Sequence, residues 1–315
     1  MDYVIETHEL TKIYGTKTAC DKISISVKSG QVYGFLGPNG AGKSTCIKML
    51  TGLVYPTSGG GTVLGKAFGD ATARKKMGYL PELFRYQDWM TGRDLLKFHT
   101  RLFRLRMDES RIDKILKLVG LSGQDKFKVG AYSKGMQQRI GLGCALLPDP
   151  EILFLDEPTS ALDPVGRKEV RDIIAGLRKA GMTVFLNTHL LSEVETLCDS
   201  VTIINHGVVV RSAAMSELLL QKVSLEIRAE GLDEDVLAEL SRRFQTKPLK
   251  TAGGRVEIAL DGDARIPEIA AYLVSKGVAL YELSPHGETL ENVFIRLVGA
   301  SGDAISSVEK EGAAS

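Results

Sequence analysis

In the stretch Gly37-Pro38-Asn39-Gly40-Ala41-Gly42-Lys43-Ser44-Thr45 the first eight residues match the spacing G-x-x-x-x-G-K-[ST] of a loop that holds a polyphosphate. Small side chains let successive backbone N–H groups turn inward around an anion, at the positive end of the helix that follows. Lys43 can reach the β- and γ-phosphates of such a ligand, and the Ser44 hydroxyl is a suitable oxygen ligand for Mg²⁺. The plain alternative is a glycine turn capping an ordinary helix. Against it, an apolar strand precedes the loop and a helix follows, which is the context a phosphate site requires. A second chemical pair, Asp156 and Glu157, ends the apolar run 152–155. Many strands end in a polar turn. Beside a phosphate loop, however, the first acid suits Mg²⁺ and the second suits a general base acting on water.

Positioning those groups requires strands and helices, and the pattern predicts them. Residues 3–10, 23–27 and 31–36 read as short strands separated by Lys, Asp, Ser and Gly turns, and 43–50 reads as a helix. Residues 62–64 and 77–80 are further strands. From about 84 to 150 the texture turns helical. Thr91 to Asp94 form a helix start; Leu95, Leu96, Phe98, Leu102 and Phe103 recur at helical spacing; Ile112, Ile115, Leu116 and Val119 repeat it up to Gly120. The runs 151–155 and 182–186 are continuously apolar, as expected of strands buried on both faces of a parallel sheet. Between them 164–180 is a helix with Pro164 in its first turn and Gly181 at its end. Residues 201–204 and 208–210 form a hairpin around Asn205-His206-Gly207. Beyond Lys222 the order β-α-β-α-β-α predicts a small second domain over 223–300. The Gly-, Ala- and Ser-rich stretch 301–315 reads as a disordered tail.

Three further segments carry a family likeness. Tyr132-Ser133-Lys134-Gly135-Met136, just ahead of a helix, resembles the signature sequence of ABC ATPases, usually L-S-G-G-Q. Ser160-Ala161-Leu162-Asp163 resembles the D-loop that follows the second acid, and His189 in Asn187-Thr188-His189 resembles the switch histidine. The resemblance spans residues 3–220, with the motifs in the family's order. It implies an α/β P-loop NTPase (ABC ATPase) core over 1–220 with a helical subdomain at about 84–150. A small α+β C-terminal domain at 223–300 follows. It also implies ATP and Mg²⁺ as ligands, and ATP hydrolysis coupled to transmembrane transport through a head-to-tail dimer.

Roles follow from the resemblance residue by residue. Lys43, Glu157 and His189 would be catalytic. Gly37, Pro38, Asn39, Gly40, Ala41, Gly42, Lys43, Ser44 and Thr45 would cradle the phosphates, with Asp163 facing the nucleotide besides capping a helix. Tyr14, in Lys12-Ile13-Tyr14-Gly15, would stack on adenine. Ser44, Asp156 and Glu82 would serve the metal, Glu82 standing where the family's Q-loop has Gln. Ser133 and Gly135 would complete the site of the other copy. The signature departs from the usual form at Tyr132, Lys134 and Met136. That variant, the chain length, the C-terminal domain and the ending Thr289-Leu-Glu-Asn-Val-Phe-Ile-Arg-Leu297 resemble the ATPase subunits of bacterial ABC-2-type exporters. Lys134 reads equally as an interface charge or a solvated one. Trp89, Tyr86 and Met90 sit where the family's helical block meets a partner, or else pack in the core.

Composition narrows the classes. Of 315 residues, 43% are hydrophobic and 25% charged, ordinary for a soluble globular chain. No apolar run approaches the roughly 18 residues of a membrane helix. Asp2, Glu6 and Glu9 argue against a signal peptide. Cys20, Cys46, Cys144 and Cys198 form no CxxC pair and read as reduced, and His8, His99, His206 and His286 read as surface residues. Net charge is +1, with 30 basic against 23 acidic residues over 1–222 and 9 against 13 over 223–300. The first part suits an anionic ligand but is too weakly basic for a nucleic-acid track. ABC-type ATPases that act on nucleic acid or ribosomes usually carry two ATPase units or a long coiled coil, which this chain lacks. A binding module without hydrolysis would not need Lys43, Asp156, Glu157 and His189 together. The expected partners are transmembrane permease subunits on separate chains and a second ATPase subunit, in a homodimer or heterodimer, with no nucleic acid. The expected place is the cytoplasmic face of the cell membrane, peripheral through the permease.

Overall fold

The computed structural model describes residues 3–219, 223–250, 255–260, 263–287 and 289–299. The expected boundary at Lys222 and the expected disordered tail 301–315 lie outside them. By its contacts the chain divides into two compact units, Met1–Ala213 and Ala214–Ala300.

The first unit opens with β1 (Tyr3–Tyr14), β2 (Lys17–Ile23), β3 (Ser26–Lys28) and β4 (Val32–Leu36), the phosphate loop, and α1 (Lys43–Leu50). Then come β5 (Ser58–Val63), β6 (Lys66–Ala67), α2 (Ala71–Arg74) and β7 (Met77–Leu80). The helical block holds α3 (Gly92–Leu102), α4 (Glu109–Leu118) and α5 (Lys134–Leu146). The unit finishes with β8 (Ile152–Asp156), α6 (Pro164–Lys179), β9 (Thr183–Thr188), α7 (Leu191–Leu197), β10 (Ser200–Asn205) and β11 (Val208–Ala214). Residues 17–22, expected as a turn region, belong to the edge strand β2 antiparallel to β1, and the expected strand 23–27 is divided between the end of β2 and β3. The alternation of β2 is masked by lysines, because an edge strand keeps one side in water.

Two sheets sandwich the core. The antiparallel one runs β2-β1-β5-β6 with β3 also on β1, and the other runs β11-β10-β4-β9-β8-β7. In the second sheet β10, β4, β9, β8 and β7 are mutually parallel. β4, β8 and β9 are buried along their whole length, which explains their unbroken apolar sequences. Phe185 lies at the centre, its ring 5.7 Å from Tyr33, 5.5 Å from Phe35 and 5.7 Å from Phe154. Cys46, Ile47, Met49 and Leu50 of α1 close the same cluster from the helix side. All four cysteines are buried and free.

The helical block starts where Thr91 caps α3, its side chain accepting from Asp94 N, and Asp108 caps α4 from Ser110 N. Arg93 joins its parts, reaching Glu109 at 3.0 Å, Asp113 at 2.5 Å and Asp125 at 2.7 Å. His99 departs from the expected surface position. It is half-buried against the rings of Tyr86, Phe98 and Phe103, and burial lowers its pKa.

The second unit contains α8 (Met215–Leu219), β12 (Val223–Glu230), α9 (Glu234–Phe244), β13 (Leu249–Lys250), β14 (Val256–Leu260), α10 (Ile266–Ser275) and β15 (Ala279–Gly287), then helix over 290–299. Its antiparallel sheet runs β13-β14-β12-β15. Leu225, Ile227, Val256, Ile258 and Leu260 alternate inward and pack with Leu240, Phe244, Ile269 and Leu273 of α9 and α10. The Val223 side chain, expected on this face, lies outside the described set.

Candidate functional site

Register builds the site. Leu36, the last residue of β4, lies opposite Thr188 of β9, and Asn187 lies opposite Asp156 of β8. The carboxyl ends of three adjacent parallel strands therefore deliver the phosphate loop, the acid pair and His189 to one edge. Such an edge is where open α/β sheets bind ligands.

Two of the loop's glycines are dictated by close approach. A Cβ at Gly37 would lie 2.4 Å from Ile204 O, and one at Gly42, where φ is +101°, would lie 2.0 Å from Ala19 O. The loop turns into α1 without a side-chain cap, leaving the first N–H groups of that helix for an anion. Lys43 is 6% exposed. Its Nζ donates to Gly37 O at 2.8 Å and Pro38 O at 3.2 Å, and lies 3.8 Å from Glu157 Oε1. Burial lowers the Lys43 pKa, against the opposing pull of Glu157, Asp156 and Glu82. A cation held on its own loop's carbonyls is poised to move onto a phosphate.

Asp156 is 3% exposed. Its Oδ1 accepts from Ser44 Oγ at 3.3 Å and from Asn187 Nδ2. Burial raises its pKa from the ordinary aspartate value despite those two donors, and Glu82 and Glu157 push it the same way. Glu157 takes a left-handed backbone, φ +51°, with its N–H on Asn187 O at 2.9 Å. A non-glycine residue there costs of order 1–3 kcal/mol and marks a geometry that its surroundings enforce. The result aims its carboxylate at His189, Oε2 to Nδ1 being 2.8 Å.

An open hollow of about 480 Å³ gathers Tyr14, Asn39, Gly40, Gly42, Lys43, Ser44, Thr45, Glu82, Glu157 and His189. Tyr14 is 47% exposed, and Lys12 Nζ lies over its ring at 5.1 Å while donating to Tyr55 O at 2.8 Å. Lys17 and Ala19 also line the hollow; they belong to β2, the strand hidden from the pattern. Asn187 is the other residue that sequence reasoning left without a role. Its signal is an amide at the end of an otherwise apolar buried strand.

Ser133, Gly135 and Asp163 do not line this hollow. Ser133 caps α5, accepting from Met136 N at 3.2 Å, and Asp163 caps α6, accepting from Gly166 N at 2.8 Å. Gly135 is half-buried beside Gly166, whose Cα would be 3.6 Å from a Cβ placed there. Oxygen ligands dominate the acid edge: a hydroxyl, a buried carboxylate and the Glu82 carboxylate. This set fits Mg²⁺. No group of three or more His, Cys, Asp or Glu able to cage a metal occurs among the described residues, so phosphate oxygens and water would complete the shell.

Comparison with known proteins places the chain in a family. The family model described as ABC transporter matches residues 20–160. An ABC transporter ATP-binding protein of Synechocystis is 36% identical over 313 residues, covering 95% of this chain and 86% of that one. The bacitracin transport ATP-binding protein BcrA of Bacillus licheniformis is 34% identical over 310 residues, covering 95% and 98%. Among solved structures, an ATP-binding subunit of an ABC transporter aligns with a TM-score of 0.62 at 27% identity, over 68% of this chain and 91% of that one. With relatives aligned along nearly its whole length, the chain belongs to the ATP-binding subunits of ABC transporters, the ATP-hydrolysing proteins that work with transmembrane permease components.

Proposed function

We propose that this chain powers export by closing head-to-tail on a second ATPase subunit around two ATP molecules, Glu157 serving as general base. The observation that carries the assignment is the Glu157 carboxylate, held by an enforced backbone and by His189 at the mouth of the phosphate hollow. Tyr14 offers its free ring face to adenine. The loop 37–45 binds the phosphates through backbone N–H groups, and Lys43 leaves its two carbonyls for the β- and γ-oxygens. A water lying between Glu157 and the γ-phosphorus gives its proton to the carboxylate as its oxygen attacks in line. The bond to the β–γ bridging oxygen breaks, yielding ADP and phosphate. His189 orients Glu157 before closure and meets the γ-phosphate after it. Mg²⁺, held by Ser44 and Asp156 with Glu82 outside them, would offset charge on the β- and γ-oxygens.

The position of Ser133 and Gly135 away from the chain's own hollow supports the two-copy arrangement, since an α5 N-terminus can then serve the other copy's γ-phosphate. Domain assignment follows: catalysis over 1–220, with 223–300 a regulatory or dimer-stabilising appendage. The names of BcrA, for bacitracin transport, and of the Bacillus subtilis linearmycin resistance ATP-binding protein LnrL support an exporter. No helix among the described residues is long and apolar enough to cross a membrane. The kinship with ATP-binding subunits of transporters supports a peripheral subunit at the cytoplasmic face, tied to permease chains. Trp89, 71% exposed beside the half-buried Tyr86 and Met90, is free to meet such a chain.

Glu157→Gln tests the assignment. Removing the base while keeping shape lowers kcat by roughly 10²–10⁴-fold with ATP affinity retained, and ATP-bound dimers accumulate on size-exclusion chromatography. Turnover near the wild-type rate would remove Glu157 from the reaction.

A further inference from the structure

The end of α3 carries a patch that the phosphate site does not use. Helical spacing predicts burial for Leu102 and Phe103, yet they are 59% and 45% exposed, and Met107 is 39% exposed. Arg101, Arg104 and Arg106 alternate with them and are exposed. The acids that follow are engaged elsewhere. Asp108 caps α4, and Glu109 pairs with Arg93 at 3.0 Å and Lys97 at 2.6 Å.

The backbone reinforces the point. Arg104 N donates to Arg101 O at 2.9 Å and Leu105 N to Thr100 O at 3.0 Å, a helix ending whose left-handed residue is usually glycine. Here that residue is Arg104, at φ +54°. The chain thus places a guanidinium where glycine would carry no steric cost. Phe103 stays fixed on the surface because its ring packs on His99 at 6.2 Å, which in turn packs on Tyr86 at 5.6 Å.

We propose that this patch rests on anionic phospholipid headgroups, an inference that builds on the reading of the chain as a subunit working beside a transmembrane permease. Guanidinium groups pair with phosphate oxygens through paired N–H donors. Leu102, Phe103 and Met107 reach the acyl boundary beneath. A headgroup layer meets both features at once along a single turn. The contact would hold the end of α3 against the bilayer while the permease engages the face that carries Trp89.

Flotation of the full chain with vesicles tests this, using phosphatidylcholine alone and phosphatidylcholine mixed with phosphatidylglycerol. Binding rises with the anionic lipid. The variant R101Q/R104Q/R106Q loses roughly 100-fold in partitioning and each arginine replaced singly about 5-fold, because the contributions of surface arginines multiply. Phe103→Ser also weakens binding, and both variants keep wild-type ATPase activity in solution. Equal binding to both vesicle types, or binding unaffected by the three substitutions, overturns the proposal. If the triple variant keeps vesicle binding but no longer co-purifies with its permease, the patch is a protein contact and the lipid assignment falls while the transporter reading stands. Arginine-dependent vesicle binding by a chain that co-purifies with no permease would uphold the patch and count against the transporter reading instead.

Discussion

Asp156→Asn separates what the acid does for function from what it costs the fold. The wild-type carboxylate is 3% exposed, its pKa raised first by burial and further by Glu82 and Glu157. Asparagine keeps an oxygen that can accept from Ser44 and Asn187 while removing the buried charge. The attraction of Asp156 for Lys43 is lost, but Glu157 remains 3.8 Å from Nζ. Burial being the largest influence on Asp156, the nucleotide-free variant gains about 1 kcal/mol at neutral pH, the size of a typical single stabilising substitution. That raises Tm by about 2–4 °C for a domain of this size. The sign follows from linkage. A carboxyl whose folded pKa is raised contributes most stability when protonated, below its unfolded value, and loses it as pH rises through the folded value. The gap between variant and wild type therefore narrows as pH falls through the raised titration. In the same variant ATPase activity with Mg²⁺ drops at least about 10²-fold on the proposed role of Asp156, because the buried carboxylate that would hold the metal is gone. Thermal unfolding without nucleotide across a pH series, paired with phosphate release, reads both effects. A variant that melts below wild type at neutral pH, or that hydrolyses ATP normally, would refute this account of Asp156.

Gly135→Asp should fold normally, since a Cβ there meets only Gly166 Cα at 3.6 Å and Ser133 Oγ at 4.0 Å. In the proposed two-copy arrangement its carboxylate would face the γ-phosphate of the other copy, so ATPase activity falls at least about 10²-fold while ATP affinity of the isolated chain is unchanged; normal hydrolysis would contradict that arrangement. Lys12→Met removes the cation 5.1 Å over the Tyr14 ring and its anchor on Tyr55 O. The KM for ATP should rise roughly 2–5-fold with kcat unchanged, Lys12→Arg restoring it. A Lys12→Met enzyme with wild-type KM would show that Lys12 does not brace the aromatic.

Of the two levels of information, the local one was legible in the residues themselves. The phosphate loop, α1 at Lys43–Leu50 and β7 at Met77–Leu80 follow from neighbours in the chain, because glycine conformation, helix start and strand alternation are decided within a few residues. The same holds for the continuous apolar runs that became β8 and β9. Tertiary packing decided the rest. Asn187 meets Asp156 only because β9 lies beside β8, and the acid pair reaches the loop only because β4, far earlier in the chain, is the other neighbour of β9. Gly42 needs its missing Cβ because Ala19 O, on the unforeseen β2, presses against it. Helical spacing alone put Leu102 and Phe103 on the apolar face of α3, and the lack of a metal spacing alone put His99 on the surface. The packing of α3 reversed both, since a helix spacing shows which residues share a face but not where the neighbouring element stops covering it.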